Sequence, residues 1–260
     1  MTRHIQFGKR DLDRIGSLVQ HFSDNRGLFE SLLDQLVSSL RSDSELAKHV
    51  HSLKWRVKDR DHLRDKLERK LIEAKNENQQ FDVTPDNLFE KVNDLAGCRI
   101  LHLYTKQFQA IHASLNRIFA EYKYELIEGP LARTWDDESR SLFAEMGIEA
   151  KESPSLYTSV HYIIAPNRRT RVTCEIQVRT LAEELWGEVD HTINYPHPSE
   201  SLACREQIKV LARVTSSCTR LVDAIFSSHE DHRLRNGNPL VIPAHVQPRP
   251  RKRTPRKPGR

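Results

Sequence analysis

Three groups of polar residues, far apart in the chain, have types and spacings suited to handling phosphates. The first is Arg56-Val57-Lys58 with Arg60, His62 and Lys66. If a helix starts early here, positions 58, 62 and 66 share one face, and Lys58, His62 and Lys66 could hold one phosphate. The second is Asp94-Leu95-Ala96-Gly97-Cys98-Arg99, where an acid leads into an apolar strand. A carboxylate so placed can hold a hard cation through its oxygens. The third is Tyr157-Thr158-Ser159-Val160-His161, followed by Glu175, Gln177 and Arg179. Each group also has an ordinary reading: a solvated helix face, a turn aspartate, a solvated strand face. Together they make one coherent demand. Arg and Lys suit a polyphosphate, Asp94 and Glu175 suit Mg²⁺ between phosphates, and Tyr157 offers a ring on which a base can stack.

The elements that must position these residues are readable from periodicity. Around the third group, Val172, Cys174, Ile176 and Val178 alternate with Thr173, Glu175, Gln177 and Arg179, which is the pattern of a strand. The period then changes to that of a helix over 181–193, with Leu181, Leu185, Trp186 and Val189 as its apolar stripe. SVHYII pairs with RVTCEIQV as two strands joined by APNRRT. GCRILHLY and YELIEG read as further strands, and 106–121 as a helix. Residues 8–53 read as two or three amphipathic helices interrupted by the turn-like SDNRG, and 59–75 as a charged helix with Leu63, Leu67 and Leu71 inward. The stretch 129–155 is polar and irregular, a candidate loop over a site. A last helix spans 200–227, and its Ile208, Leu211, Val214, Leu221 and Ile225 are expected to pack on the core, with an assembly interface as the other option. Strands interleaved with helices imply an α/β (α+β) fold, a mixed sheet flanked by helices with extra helices at both ends. The divisions are 1–53 helical, 54–196 core, 197–232 a C-terminal helix and 233–260 a tail.

At 260 residues, 30% charged and 37% hydrophobic, the chain is polar yet able to build a sizeable core. It has no membrane-spanning run and no apolar segment near its start that reads as a secretory signal. Cys98, Cys174, Cys204 and Cys218 lack metal or redox spacing, so a reducing cytoplasm is the expected setting. The net charge of +5 is concentrated in 249–260, RPRKRTPRKPGR. Of the 41 Lys and Arg, seven lie there, which leaves 34 against 36 acidic residues elsewhere. Such a segment is expected to be disordered and suited to RNA, a ribosome or another polyanion, or to act only as a solubilising terminus.

The motifs in order resemble the synthetase domain of the RelA/SpoT family of alarmone synthetases, in particular its small single-domain members. RVKDRDHLRDKL resembles the family's R-x-K-x-x-x-S-x-x-x-K segment, DLAGCRI its D-x-x-G-x-R strand, YTSVH its Y-x-S-x-H loop, and EIQVRT with DHTINY its E-[IV]-Q-[IV]-R-T…H…Y signature. They cover roughly residues 50–196. The resemblance implies a nucleotidyltransferase-like fold that moves pyrophosphate from ATP to the 3′-hydroxyl of GDP or GTP. It implies that Arg56 and Arg99 sandwich adenine, Lys58 and Lys66 hold the phosphates, and Asp94 and Glu175 bind Mg²⁺. Glu175 would also draw the proton from the attacking hydroxyl. Tyr157 would stack on the acceptor base, with His161, Gln177, Arg179, Asp190, His191 and Asn194 on the acceptor side. The resemblance leaves homo-oligomeric assembly open: small members of the family often form tetramers through terminal helices, and toxin-type members can be monomeric.

The chain departs from the family where P-K-x-[NS]-G-Y would precede the loop: it reads Glu152-Ser153-Pro154-Ser155-Leu156-Tyr157, without the lysine or the glycine, although Lys151 lies close by. His62 stands where the family often has Ser. These changes bear on the acceptor and keep open two alternatives, pyrophosphorylation of a tRNA 3′ end and a non-catalytic nucleotide- or RNA-binding module. The isolated His229-Glu230-Asp231-His232 does not form a hydrolase metal set, so a synthetase without product hydrolysis is the expectation.

Overall fold

A computed structural model describes residues 7–166, 171–195 and 198–236. In chain order the elements are α1 (Lys9–Ser42), α2 (Ser44–Ala47), β1 (Ser52–Val57), α3 (Arg60–Asn76), α4 (Leu88–Lys91), β2 (Ala96–His102) and α5 (Gln107–Glu121). There follow β3 (Glu125–Thr134), α6 (Asp137–Glu145), β4 (Glu149–Glu152), β5 (Ser159–Ala165), β6 (Cys174–Thr180), α7 (Leu181–Asn194) and α8 (Leu202–Arg235).

The six strands form one mixed sheet in the order β1-β2-β6-β5-β3-β4, as the α+β expectation requires. β2 and β6 are parallel, as are β3 and β4, and the other neighbours are antiparallel. Alternation sends Cys98, Ile100, Cys174, Ile176, Val178, Val160, Tyr162 and Ile164 into the core. Facing them are Ile15, Leu18, Phe22, Phe29, Leu36 and Leu40 of α1, and Phe108, Ile111, Leu115 and Ile118 of α5. The first helix therefore shares the main core with the sheet. Leu63, Leu67 and Leu71 of α3 join it, as their spacing predicted.

Several local expectations are corrected. SDNRG does not interrupt a helix: α1 runs straight through it. Its polar side chains are satisfied along the helix, Ser23 on the Val19 carbonyl, Asn25 on the His21 carbonyl, Gln20 on Asp24 and Arg26 on Glu30. Residues 52–57 are a strand. Residues 129–155 are not a loop, for they hold the end of β3, all of α6 and β4. Asp136 caps α6 by accepting the Ser139 N–H at 3.1 Å. Gly129 lies in the left-handed region at φ +92°, and a Cβ there would stand 2.4 Å from the His161 carbonyl, so only glycine lets β3 press on β5 at this irregular point. On α7 the buried positions are Glu183, Glu184 and Trp186, whereas Leu185 is exposed. On α8 only Ile208, Ala212 and the half-buried Leu211 pack around Trp186, while Val214, Leu221 and Ile225 are more than half exposed. The helix lies against α7 along one side only, which leaves that stripe without cover.

Candidate active site

Strand register builds the site. Lys54 and Arg56 on β1 stand opposite Arg99 and Gly97 on β2. Gly97 and Arg99 stand opposite Glu175 and Gln177 on β6. Those two face Ile163 and His161 on β5. Every second residue shares a face, so one belt across the sheet carries Lys54, Arg56, Arg99, Glu175, Gln177 and His161 together. The cleft over this belt has two compartments. One, of about 370 Å³, lies on the β1 side and is lined by Lys54, Arg56, Lys58, Arg99 and His191. The other, of about 360 Å³, lies on the β5 side and is lined by Lys66, Lys91, Arg133, Tyr157 and His161. Asp94, Glu175 and Gln177 line both.

Asp94 stands between α4 and β2, where the Lys58 N–H bonds the neighbouring Leu95 carbonyl at 2.8 Å. Its two oxygens accept from Lys58 Nζ at 2.9 Å and Lys66 Nζ at 2.8 Å. Burial pushes the Asp94 carboxyl upward, but the two ammonium groups outweigh it and hold the group below its ordinary range. Lys58 is lowered, chiefly by its own burial. The route by which these lysines meet differs from the sequence expectation. Asp59 is the N-cap of α3, accepting the His62 N–H at 2.8 Å, so Lys58 precedes the helix. The His62 ring turns to Asp59 and toward Tyr195, and it lines neither compartment.

Glu175 is held from two sides, by His161 Nδ1 at 2.9 Å and by Gln177 Nε2 at 2.8 Å, and Ser159 Oγ stands 2.7 Å from His161 Nε2. Burial favours its protonated form, yet the His161 hydrogen bond prevails and keeps it ionised below the ordinary range. Tyr157 is stacked on Trp186 at 6.1 Å and 12°, and its hydroxyl is raised by burial. Its loop is gripped by α7, for Glu183 Oε2 accepts the Thr158 N–H at 3.0 Å. Leu156, at the position of the family's glycine, adopts φ +63°. The chain thus keeps the left-handed turn without the residue that makes it easy.

The remaining expected residues divide. His191 lines the β1-side compartment and not the β5-side one, and stacks on Tyr195 at 4.5 Å. Asp190 and Asn194 bond each other at 2.8 Å and line neither compartment. Arg179 is buried under α7, paired with Glu184, and a Cβ on Gly187 would stand 2.7 Å from its Nη1. It ties β6 to α7 and does not reach the cleft. Lys151 pairs with Glu149 at 3.7 Å and also lies outside the cleft, while Arg133 and Lys91 line the β5-side compartment. Sequence reading missed Lys54, Lys91, Arg133 and Glu184. Glu184 is buried and joins Lys54 at 2.7 Å, Arg99 at 3.2 Å and Arg179. The alternation Lys54, Arg56, Lys58 could have revealed β1; Arg133 was hidden in a strand read as loop.

Among the described residues no group of three or more His, Cys, Asp or Glu side chains is arranged to hold an ion. Two carboxylates at the meeting of two compartments do fit Mg²⁺, which uses one or two protein oxygens and takes the rest from phosphates and water.

Residues 55–200 match a family described as "Region found in RelA / SpoT proteins", which is over half of the chain. The chain belongs to the RelA/SpoT family. Among its relatives, GTP pyrophosphokinase YjbM of Bacillus subtilis (strain 168) is 27% identical over 143 residues, 53% of this chain and 57% of that protein. The chain thus spans little more than half the length of the curated relative that it matches. The fold resembles that of the small alarmone synthetase 1 from Bacillus subtilis, with a TM-score of 0.56 and 18% identity over 81% of this chain and 99% of the other. The same synthetase bound to its product pppGpp gives a TM-score of 0.52 and 18% identity over 78% and 93%. These likenesses show that the mixed sheet with flanking helices is the fold those structures share.

Proposed function

We propose that this RelA/SpoT-family chain transfers pyrophosphate from ATP to the 3′-hydroxyl of GDP or GTP, making (p)ppGpp. The observation that carries the reading is that Asp94 and Glu175 line both compartments, one rich in cations on the β1 side and one with an aromatic floor on the β5 side. A donor and an acceptor nucleotide bound in them would meet at those carboxylates.

Arg56 and Arg99 face the β1-side compartment from adjacent strands and would clamp adenine between guanidinium planes. Lys58 and Lys66, both paired with Asp94, would turn to the ATP phosphates. Mg²⁺ held by Asp94 and Glu175 would offset phosphate charge as it shifts toward the leaving group. Glu175, kept ionised by His161 and Gln177, accepts the proton of the 3′-hydroxyl. That oxygen bonds to the β-phosphorus of ATP as the bond to the α-phosphate oxygen breaks, and AMP leaves. Tyr157 stacks on the acceptor base. Arg133 and Lys91 supply the cations for its phosphates in place of the absent loop lysine. We assign the reaction to the cytoplasm of a bacterium. The basic segment 249–260, which lies outside the described residues, is proposed to contact RNA or the ribosome, and the exposed stripe of α8 to serve self-assembly.

The test is incubation with γ-labelled ATP and Mg²⁺, with GDP, GTP or deacylated tRNA offered separately. Label on a guanosine nucleotide is the expected result. Label on tRNA alone would replace the acceptor, and no label on any would leave a binding module.

A further inference from the structure

We propose that a second cavity, behind the acceptor loop, is a binding site for a small uncharged heteroaromatic molecule, anchored by His102 and Glu183. The cavity measures about 300 Å³ and lies at the carboxyl ends of β2 and β6, between the sheet, α6 and α8. It shares no lining residue with either compartment of the cleft. Its walls are largely apolar, from Phe108, Leu142, Phe143, Val160 and Val178. Phe108 and Phe143 meet edge to face at 5.4 Å and 84°, a corner that accepts a further ring.

Two titratable side chains that the proposed reaction does not use stand in this apolar wall. His102 is 3% exposed and Glu183 5%. His102 Nδ1 donates to the Tyr104 carbonyl at 3.0 Å, which leaves Nε2 as an acceptor with no partner among the described residues. Burial drives the imidazole down to about 4, so it is neutral. Glu183 uses Oε2 for the Thr158 N–H, and its Oε1 has no partner among the described residues. Its burial raises the carboxyl to about 7. Both side chains line the cavity and these two atoms lack a partner among the described residues, so a guest held there can bond them. A guest with an N–H for His102 Nε2 and a ring nitrogen for the proton on Glu183 Oε1 supplies what both side chains lack. It should be uncharged, because the charged groups of the lining already have opposite charges beside them: Arg220 pairs with Asp136 and Glu138, Arg179 with Glu184, and Asp223 accepts the backbone N–H of the cationic Lys106. One cavity wall is the acceptor loop itself, since Thr158 and Ser159 line it and Ser159 also bonds His161.

The probe is indazole, a bicycle with one N–H donor and one ring-nitrogen acceptor that stays neutral at about pH 6, where the Glu183 carboxyl keeps its proton. It is titrated into the whole chain while backbone amide shifts are followed, with and without saturating ATP and GDP. Saturable shifts at His102, Ser216 and Thr219 that persist with both nucleotides present are the expected result. Ser216→Phe, which plugs the cavity from α8, should weaken binding at least about tenfold. Should that variant fold poorly, Glu183→Ala removes one anchor without adding bulk and should also weaken binding. Absence of saturable binding, shifts confined to Arg56 and Arg99, displacement by ATP, or undiminished binding in both variants would overturn the site. Since binding is read without turnover, failure of this proposal is distinct from failure of the synthetase reading.

Discussion

Glu183→Gln separates the charge of a buried carboxyl from its shape. In the folded chain this group titrates at about 7, against an ordinary 4.5, because burial disfavours its ionised form. The Thr158 N–H and Arg179 pull it down, and Asp136 pushes it up. Between those two values the folded chain holds a proton that the unfolded chain has released, so folding stability must fall as pH rises through this window. The penalty is nearly absent below 4.5 and complete above 7. At 1.36 kcal/mol per pH unit, the gap corresponds to roughly 3 kcal/mol, of which about 2 to 3 kcal/mol develops between pH 5 and pH 8. Glutamine has nearly the same shape, keeps an oxygen for the Thr158 N–H and does not titrate. Urea unfolding of both proteins at the two pH values isolates the effect, since every other titrating group cancels in the double difference. The variant should gain about 2 kcal/mol on the parent from the acidic to the alkaline condition. A double difference near zero, or one of opposite sign, would refute the claim that Glu183 is buried as an acid.

Asp94→Asn should abolish pyrophosphate transfer and cost about 1 to 3 kcal/mol of stability, because Lys58 is buried beside it and would lose its counter-charge. Adding Lys58→Met should restore the stability and not the activity; a single variant as stable as the parent would show the pair to be solvated. Arg133→Ala should raise the KM for the guanosine nucleotide about tenfold with the KM for ATP unchanged, and an equal rise in both would remove Arg133 from the acceptor side. Leu156→Ile should lower stability by about 1 to 2 kcal/mol, since a β-branched side chain resists the positive φ at that position. Thermal melts of Leu156→Ile and the parent that coincide would contradict that strain.

The amino-acid sequence by itself determined most of the cleft's polar lining. The strand 174–180 and the helix after it follow from a change of period, and Asp94, Glu175, Gln177, Tyr157 and His161 all reach the cleft from motifs recognised in order. Local patterns persist in these segments because half of each strand faces the core, where only apolar residues are tolerated. β1 was not legible, because it is an edge strand whose residues are partly or fully exposed and its alternating cations resemble the charged helix that follows. Nor were α6 and β4 legible: α6 is short and polar with Phe143 as its one buried residue, and β4 is sustained by pairing with β3 rather than by its own pattern. Only the tertiary structure decided that Arg179 serves as a tie beneath α7, that His191 faces the β1 side, and that Arg133 rather than Lys151 enters the β5-side compartment. Spacing along the chain tells which face a side chain takes. What stands over that face depends on elements packed from distant parts of the chain, and that packing turned one glutamate, Glu184, into the partner of Lys54, Arg99 and Arg179.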